Sequence, residues 1–300
     1  MTEIARVTVL TNPASGHGGA PHAAERAVSQ LHRRGVDVVA IAGTDAEHAQ
    51  RLVEGALERG MDALVVVGGD GIISLALQVL AQTDIPLGII PAGTGNDHAR
   101  EFRIPTKDPE AAADAIVDGV IETVDLGRIK GADGTEKWFG TVMAAGFDSL
   151  VTDRTNRMRW PHGRMRYNVA MVAELSKLRL LPFRLTFDGR ELNTELTLAA
   201  FGNTRSYGGG MLICPNADHT DGLLDVTMVQ SASRTKLIRL FPTVFKGTHT
   251  DLDEVRTERA QTITVDSPGI NAYADGEYAC PLPVEVSAAP GALKILTPKG

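Results

Sequence analysis

The sequence predicts an α/β protein of two domains: a doubly wound, mainly parallel sheet over residues 1–128 and a mainly antiparallel, β-rich domain over residues 129–289. A last strand at about 290–300 is expected to return to the first domain. Three observations carry this prediction. From Ile4 to Leu126, short apolar runs alternate with helical patterns, as a doubly wound sheet requires. Two of those runs, Leu64–Val67 and Leu87–Ile90, each end in a glycine-rich turn and lie about one helix apart, which reads as a parallel pair. Beyond Trp138 the pattern changes to short strands separated by Gly, Pro, Asp and Asn. A chain of 300 residues is long enough to form two cores.

The elements follow in order. Val7–Leu10 is a strand ending at the turn formers Asn12, Pro13, Ala14, Ser15 and Gly16. Asn12 and Ser15 carry groups that can donate to a phosphate, and the same residues serve equally in a plain turn. Ala20–Arg33 has helical spacing through Ala24, Ala27, Val28 and Leu31, and Val36–Ile41 is a strand. Thr44 and Asp45 cap a helix from Ala46 to Gly60, with Asp45 and Glu47 near its start, where the helix dipole favours acid. Pro109–Gly119 is an alanine-rich helix, and Ile121–Leu126 is a strand carrying Asp125. In the second domain, strands are expected at Phe139–Ala145, Leu180–Phe187, Leu192–Phe201, Gly222–Val229, Thr262–Val265 and Pro283–Val286. One helix, Arg166–Leu178, interrupts them, with apolar positions Val169, Val172, Leu175 and Leu178.

The two glycine-rich turns are Gly68-Gly69-Asp70-Gly71 and Pro91-Ala92-Gly93-Thr94-Gly95-Asn96-Asp97. Both belong at the carboxyl edge of the sheet, where open α/β sheets bind ligands. Glycine lets a phosphate approach the backbone, so that successive N–H groups point at one anion. A carboxylate in each turn, Asp70 and Asp97, is unwanted in a bare anion cradle and suggests a magnesium ion or ordered water beside the phosphate. The dinucleotide G-x-G-x-x-G and the P-loop G-x-x-x-x-G-K-[ST] are both absent, which disfavours an ordinary dehydrogenase or P-loop NTPase.

Composition narrows the classes further. A net charge of −7 and a pI near 5.6 argue against nucleic acid as a partner. Cys214 and Cys280 have no neighbouring ligands at metal spacing, and two such cysteines fit a reducing cytosol. The N-terminus enters a strand without a signal-peptide pattern, and no apolar run approaches the ~20 residues of a membrane span, so lipid contact is expected to be peripheral.

Asp275 and Glu277, flanking Gly276, are candidates for a general base near a strand end. In an extended stretch residues i and i+2 face the same side, so both are expected to reach one cleft. An Asp-Gly pair is also a common hairpin turn. The segment Arg154–Arg166 gathers Arg154, Arg157, Arg159, Arg164 and Arg166 around Met158, Trp160 and Met165. That cluster suits anionic headgroups and the lipid interface, and equally a solvated loop or a homodimer face.

Asn12-Pro13-x-Ser15-Gly16, Gly68-Gly69-Asp70-Gly71, Pro91-x-Gly93-Thr94-Gly95-Asn96-Asp97-x-Ala99-Arg100 and Asp275-Gly276-Glu277 occur in that order. Together they resemble the soluble diacylglycerol and sphingosine kinase superfamily, and in detail the actinobacterial diacylglycerol kinases, over essentially the whole chain. The resemblance implies a lipid kinase that uses ATP and Mg2+ to phosphorylate the hydroxyl of diacylglycerol to phosphatidic acid. It implies an active site in the cleft between the domains and a cytoplasmic location, peripheral at the inner face of the cell membrane. The nucleotide would be held by Asn12, Pro13, Ala14, Ser15, Gly16, Thr44, Gly68, Gly69, Asp70, Gly71, Ile72, Ile73, Ser74, Leu75, Gly93, Thr94 and Asn96. Asp70, Asp97 and Asp125 would form a water-bridged carboxylate network reaching the metal, since clustered carboxylates repel one another without a cation. A structural magnesium would be held by Asp218, Asp221 and Leu223, in a tight loop whose oxygen donors suit a hard cation. Either Asp275 or Glu277 would be the base. The chain departs from the family pattern at Ile72, where the family has Thr, and at Leu75, where it has Glu. Other readings are a kinase of a sphingoid base, ceramide or monoacylglycerol, an NAD kinase, or a non-catalytic nucleotide-binding regulator.

Overall fold

A computed structural model describes residues 4–11, 19–158, 169, 173, 179–231 and 233–299. The predicted loop Asn12, Pro13, Ala14, Ser15 and Gly16, the segment 159–166, and nearly all of the predicted helix Arg166–Leu178 lie outside those residues. The chain divides into two compact units. The first comprises Met1–Leu126, Gly208–Gly210 and Ala289–Gly300; the second comprises Gly127–Tyr207 and Met211–Ala288.

The first unit is built from β1 (Arg6–Thr11), α1 (Gly19–Arg33), β2 (Asp37–Ala42), α2 (Ala46–Arg59), β3 (Ala63–Gly68), α3 (Asp70–Leu80), β4 (Leu87–Pro91), α4 (Asp97–Glu101) and α5 (Pro109–Asp118), followed by β5 (Val120–Gly131). Its sheet runs β2-β1-β3-β4, every pair parallel, and Ile295 of the C-terminal strand lies parallel beside Leu87. Every residue of β3 and β4 is buried, as central parallel strands covered on both faces must be, which is why both read as unbroken apolar runs. Helix starts follow the local rules. Asp45 caps α2 by accepting the His48 N–H at 2.8 Å. Asp108 caps α5 with Pro109 in its first turn. On the outer surface α1 and α5 are stitched by Gln30 to Asp114 and by Arg34 to Asp114 and Asp118.

The second unit takes up the chain at Gly127, within β5. It adds β6 (Glu136–Phe139), β7 (Val142–Gly146), α6 (Phe147–Arg157), β8 (Leu181–Phe187), β9 (Arg190–Leu196), β10 (Leu198–Gly202), β11 (Leu224–Val229), α7 (Arg234–Val244), β12 (Val255–Ala260), β13 (Thr262–Asp266), β14 (Asn271–Ala274), β15 (Glu277–Pro281) and β16 (Val284–Thr297). The first residues of β16 pair with β13, which pairs with β8 and then β9; a second sheet runs β12-β11-β10-β7-β14-β15. All these pairs are antiparallel. Phe139, Phe183, Leu185, Phe201, Met228, Ile263 and Val265 share one buried cluster, the inner faces of a two-sheet packing.

The fold class follows the sequence, with two corrections. The expected strands Phe139–Ala145 and Leu192–Phe201 are each two strands, broken at Gly140–Thr141 and at Thr197, and the chain changes sheet at both breaks. Buried corners stay apolar throughout, so hydrophobicity alone does not mark them. The sequence reading also lacked β12, β14, β15, α6 and α7. β12 is an edge strand with only Val255 and Ala260 buried, so it carries little apolar signal.

Candidate active site

In the first unit the two glycine turns touch backbone to backbone. A Cβ on Gly93 would stand 2.4 Å from the Gly69 Cα, and one on Gly95 would stand 2.6 Å from Asp70 Oδ2. Neither position has room for a side chain, so these glycines are fixed by close approach. The Ala92 N–H donates to the Gly68 carbonyl at 2.8 Å and ties the turns together. Asn96 adopts a left-handed conformation and closes the second turn on itself: its Oδ1 accepts the Gly93 N–H at 3.1 Å, and its Nδ2 donates to the Gly93 carbonyl at 2.9 Å. Thr94 is left exposed at the tip.

Gly69 caps α3 with no side-chain bond, so the N–H groups of Gly69, Asp70 and Gly71 open the helix at its positive end. Ile72, Ile73 and Ser74, expected along the cradle, turn their side chains into the core. These residues are 6%, 1% and 4% exposed and lie on the buried side of the helix, while the Ile72 and Ile73 N–H groups return to the Gly69 carbonyl. Leu75 is half-buried. Thr44 sits at the end of β2, its hydroxyl donating to Asp45 Oδ2 at 3.0 Å within the cap of α2.

The structure brings Asp70 and Asp97 together around Gly95. The protein itself supplies partners to both carboxylates. His98 is 2% exposed and sets Nδ1 at 3.0 Å from Asp70 Oδ1, with its N–H on the same oxygen at 3.3 Å. Burial works to raise the Asp70 pKa, but the His98 ring and the N–H groups of His98 and Asp97 outweigh it and hold the carboxyl below its ordinary value. Asp97 accepts the N–H groups of Gly209 and Gly210 at 2.7 Å each and the Arg100 guanidinium at 3.1 Å. Asp125 lies within β5 and accepts the Gly291 N–H of β16 at 2.8 Å. His98, Arg100 and the Gly208–Gly210 loop were absent from the sequence-derived site. A histidine directly after Asn96-Asp97 was the one local signal available.

In the second unit, Asp275 and Gly276 are the two central residues of the β14–β15 hairpin, with φ of 51° and 80°. This is the I′-type geometry that an Asp-Gly pair favours. The expectation that Asp275 and Glu277 share one face of a strand is therefore wrong: the turn intervenes, leaving Asp275 buried and Glu277 exposed. Asp275 accepts Gly140 N–H at 3.0 Å, Thr141 N–H at 2.8 Å and the Thr141 hydroxyl at 2.6 Å, so it clamps the corner between β6 and β7. These donors orient the carboxylate at the turn. Nearby, Lys137 Nζ donates to the Tyr278 carbonyl at 2.9 Å. Burial lowers its pKa, against the opposing pull of Asp275, Glu277 and Cys280. Burial also pushes the Cys214 thiol up to about 12 and raises that of Cys280, so both stay protonated.

The loop Pro215–Leu223 holds the expected cation ligands. Asp218 Oδ1 accepts the Thr220 N–H and hydroxyl at 3.0 and 2.7 Å, and Asp221 Oδ1 accepts the Leu223 N–H at 3.0 Å. Asp221 Oδ2 is paired with Arg259, which also reaches Asp225 at 3.1 Å. Burial and the charges of Asp221 and Asp218 raise the Asp225 pKa, with Arg259 opposing. The donor set fits a hard cation, because Asp218 and Asp221 outnumber the single guanidinium and backbone carbonyls stand beside them. Among the described residues no three acidic, His or Cys side chains converge as an all-side-chain metal site, so an ion here would draw on the carbonyls of Asp218 and Leu223 with the Asp221 carboxylate.

Residues 6–129 match the diacylglycerol kinase catalytic domain, and residues 141–297 match the YegS C-terminal NAD kinase beta sandwich-like domain. The catalytic-domain match defines the class as a kinase. The chain is 68% identical to the diacylglycerol kinase of Mycobacterium tuberculosis, across 99% of this chain and 96% of that one. It is 30% identical to a probable YegS-like lipid kinase of Stenotrophomonas maltophilia, across 91% of each. A putative diacylglycerol kinase of Bacillus anthracis shares the fold at a TM-score of 0.81 and 22% identity, covering 99% of this chain and 96% of the other. The chain belongs to the diacylglycerol kinase family, and it is an enzyme.

Proposed function

We propose that this kinase transfers the γ-phosphoryl group of ATP to the free hydroxyl of diacylglycerol, giving phosphatidic acid, and that it requires magnesium. The observation that carries the reading is the pair of interlocked glycine turns, which sets the backbone N–H groups at the start of α3 beside the held carboxylates Asp70 and Asp97. Phosphoryl transfer asks the protein chiefly to position the phosphates, balance their charge and accept the hydroxyl proton. The N–H groups of Gly69, Asp70 and Gly71, with Thr94 and the loop Asn12–Gly16, bind the phosphates. His98 and Arg100 hold Asp70 and Asp97 in place, and the β14–β15 hairpin supplies the base. The acceptor oxygen forms a bond to the γ-phosphorus as its proton passes to a carboxylate, and the bond from that phosphorus to the β–γ bridging oxygen breaks, releasing ADP. Magnesium, when bound, supplies positive charge; the Asp218–Leu223 loop is where this chain would hold a structural ion.

The acceptor reading is supported by the name of the Mycobacterium tuberculosis relative at 68% identity. The second reading, another lipid alcohol, is favoured by the YegS-like relative. A lipid acceptor calls for peripheral contact with the inner face of the cell membrane, and the arginines of Arg154–Arg166 are a candidate contact, with a homodimer face as the alternative use. No helix among the described residues is long and apolar enough to cross a membrane. The test is transfer of labelled γ-phosphate to lipids in mixed micelles, offering diacylglycerol, sphingosine and NAD in parallel. Label in phosphatidic acid, lost with chelator, supports the reading. Label in another acceptor replaces the substrate, and no transfer despite ATP binding favours a regulator.

A further inference from the structure

Helix α7 has two unlike faces. Leu240 and Val244 are 8% and 4% exposed and pack into a cluster with Val142, Ala200 and Val229, joined by the half-buried Leu237. On the other side Phe241 and Phe245, one turn apart, are 47% and 46% exposed, and their rings meet edge to face with centroids 5.5 Å apart. Pro242 is exposed beside them. Phe102, Phe139, Phe183, Phe187 and Phe201 are buried and Phe147 is half-buried, so this exposed aromatic pair departs from how the chain treats its other phenylalanines. Apolar groups scattered singly need no explanation, whereas two packed on each other at a surface mark a contact.

The charge around the pair identifies the partner. The chain carries 37 acidic residues and a net charge of −7, yet none of the acids falls between Asp225 and Asp251. Lys236, Arg239 and Lys246 are exposed along this stretch, and Lys236 also pairs with Glu254. A helix with aromatic residues on its outer face, basic residues beside them and no acid of its own is suited to lie in the plane of a lipid interface, with rings at the acyl boundary and cations among anionic headgroups. A second copy of the chain fits less well, because a two-fold contact would set the same cations against each other.

We infer that α7 is a membrane-docking element that inserts Phe241 and Phe245 into an anionic phospholipid surface, with Arg239 and Lys246 on the headgroups. The inference deepens the lipid-kinase reading by naming a docking surface, and its test separates the two. Flotation of the full chain is measured with vesicles of phosphatidylcholine alone and of phosphatidylcholine mixed with phosphatidylglycerol. The wild type binds the anionic vesicles, and added salt weakens binding. Phe241→Ser/Phe245→Ser lowers that affinity at least about tenfold, and Arg239→Gln/Lys246→Gln lowers it roughly fivefold per residue. Both double variants keep wild-type turnover on a short-chain, water-dispersed diacylglycerol. Undiminished vesicle binding in both variants overturns the inference. So does sedimentation showing a wild-type dimer that the Phe variants dissociate while vesicle binding is unchanged. If the chain docks through α7 but phosphorylates no diacylglycerol, the docking stands and the acceptor reading falls.

Discussion

The Asp70–His98 contact shows how much of the site rests on partners distant in sequence. Asp70 is held ionised against burial largely by one imidazole, 28 residues away. Because its folded pKa lies below the unfolded value, the interaction contributes stability that is present above the ordinary carboxylate pKa and is lost as pH falls through the folded value. His98→Ala is therefore predicted to cost about 1–3 kcal/mol at neutral pH, the range for a buried polar group losing its partner. The gap between wild-type and mutant melting temperatures should narrow in acid, and His98→Gln, which restores a donor, should recover part of the loss. A gap that stays constant between neutral pH and pH ~3 would sink this account. At the second carboxylate, Asp275→Asn keeps an acceptor toward the Thr141 hydroxyl but cannot take a proton. If Asp275 is the base, single-turnover transfer should fall by about 10²–10⁴-fold, along with a stability cost of about 1–3 kcal/mol because the amide NH2 faces the Gly140 N–H, while Glu277→Gln retains most of the rate. The reverse ranking transfers the role to Glu277. Asp70, Asp97 and Asp275 were legible because each sits in a short glycine motif. His98, Gly209, Gly210 and Thr141 were not, because their importance arises from contacts made across as many as 134 residues.

The elements show the same division. Helix α2 was legible to its cap because Asp45 acts within one turn, and α5 was legible in its extent though Asp108 was not read as its cap. Strands β3 and β4 were legible because full burial leaves an apolar run. The corners at Gly140–Thr141 and Thr197 were not, since the decision to change sheet is made by partners such as Asp275, which takes both N–H groups of Gly140 and Thr141. The turns that hold the proposed nucleotide make a sharper prediction. Gly93→Ala forces a methyl group to within 2.4 Å of the Gly69 backbone, so the two turns must separate. Overpacking of this kind typically costs about 1–3 kcal/mol, and it falls directly on the phosphate cradle. ATP affinity, read by titration calorimetry, should drop at least about tenfold while the second unit melts unchanged. Gly134→Ala provides the control: no atom lies within 4 Å of its Cβ, so only the positive φ of 87° is penalised, at roughly 1 kcal/mol. Equal loss of ATP affinity in the two variants would contradict the interlocked-turn account.

For the whole molecule, the strand–helix alternation and the later run of short strands sufficed for the fold class, because every parallel strand carries its own apolar signal while the antiparallel unit signals through its turns. What the sequence did not convey is how charge is balanced once the chain is folded, and Arg259 is the clearest case. It reaches Asp221 and Asp225 from β12, an edge strand with too little apolar character to be read from the sequence. The guanidinium and a magnesium ion would then compete for the same Asp221 carboxylate. A cation that binds only the folded chain stabilises it by mass action, about 2.7 kcal/mol at a hundredfold excess over Kd, or a rise of roughly 5–10 °C in Tm. Magnesium should raise the Tm of the wild type by that order, and chelator should reverse the rise. Asp221→Asn should abolish the response. Arg259→Gln should begin from a lower Tm, because Asp221 and Asp225 lose their cation, yet gain more from magnesium because the competitor is gone. A wild type whose Tm ignores magnesium, together with an Arg259→Gln variant that ignores it as well, would remove the ion from this loop and leave Arg259 as its permanent counter-charge.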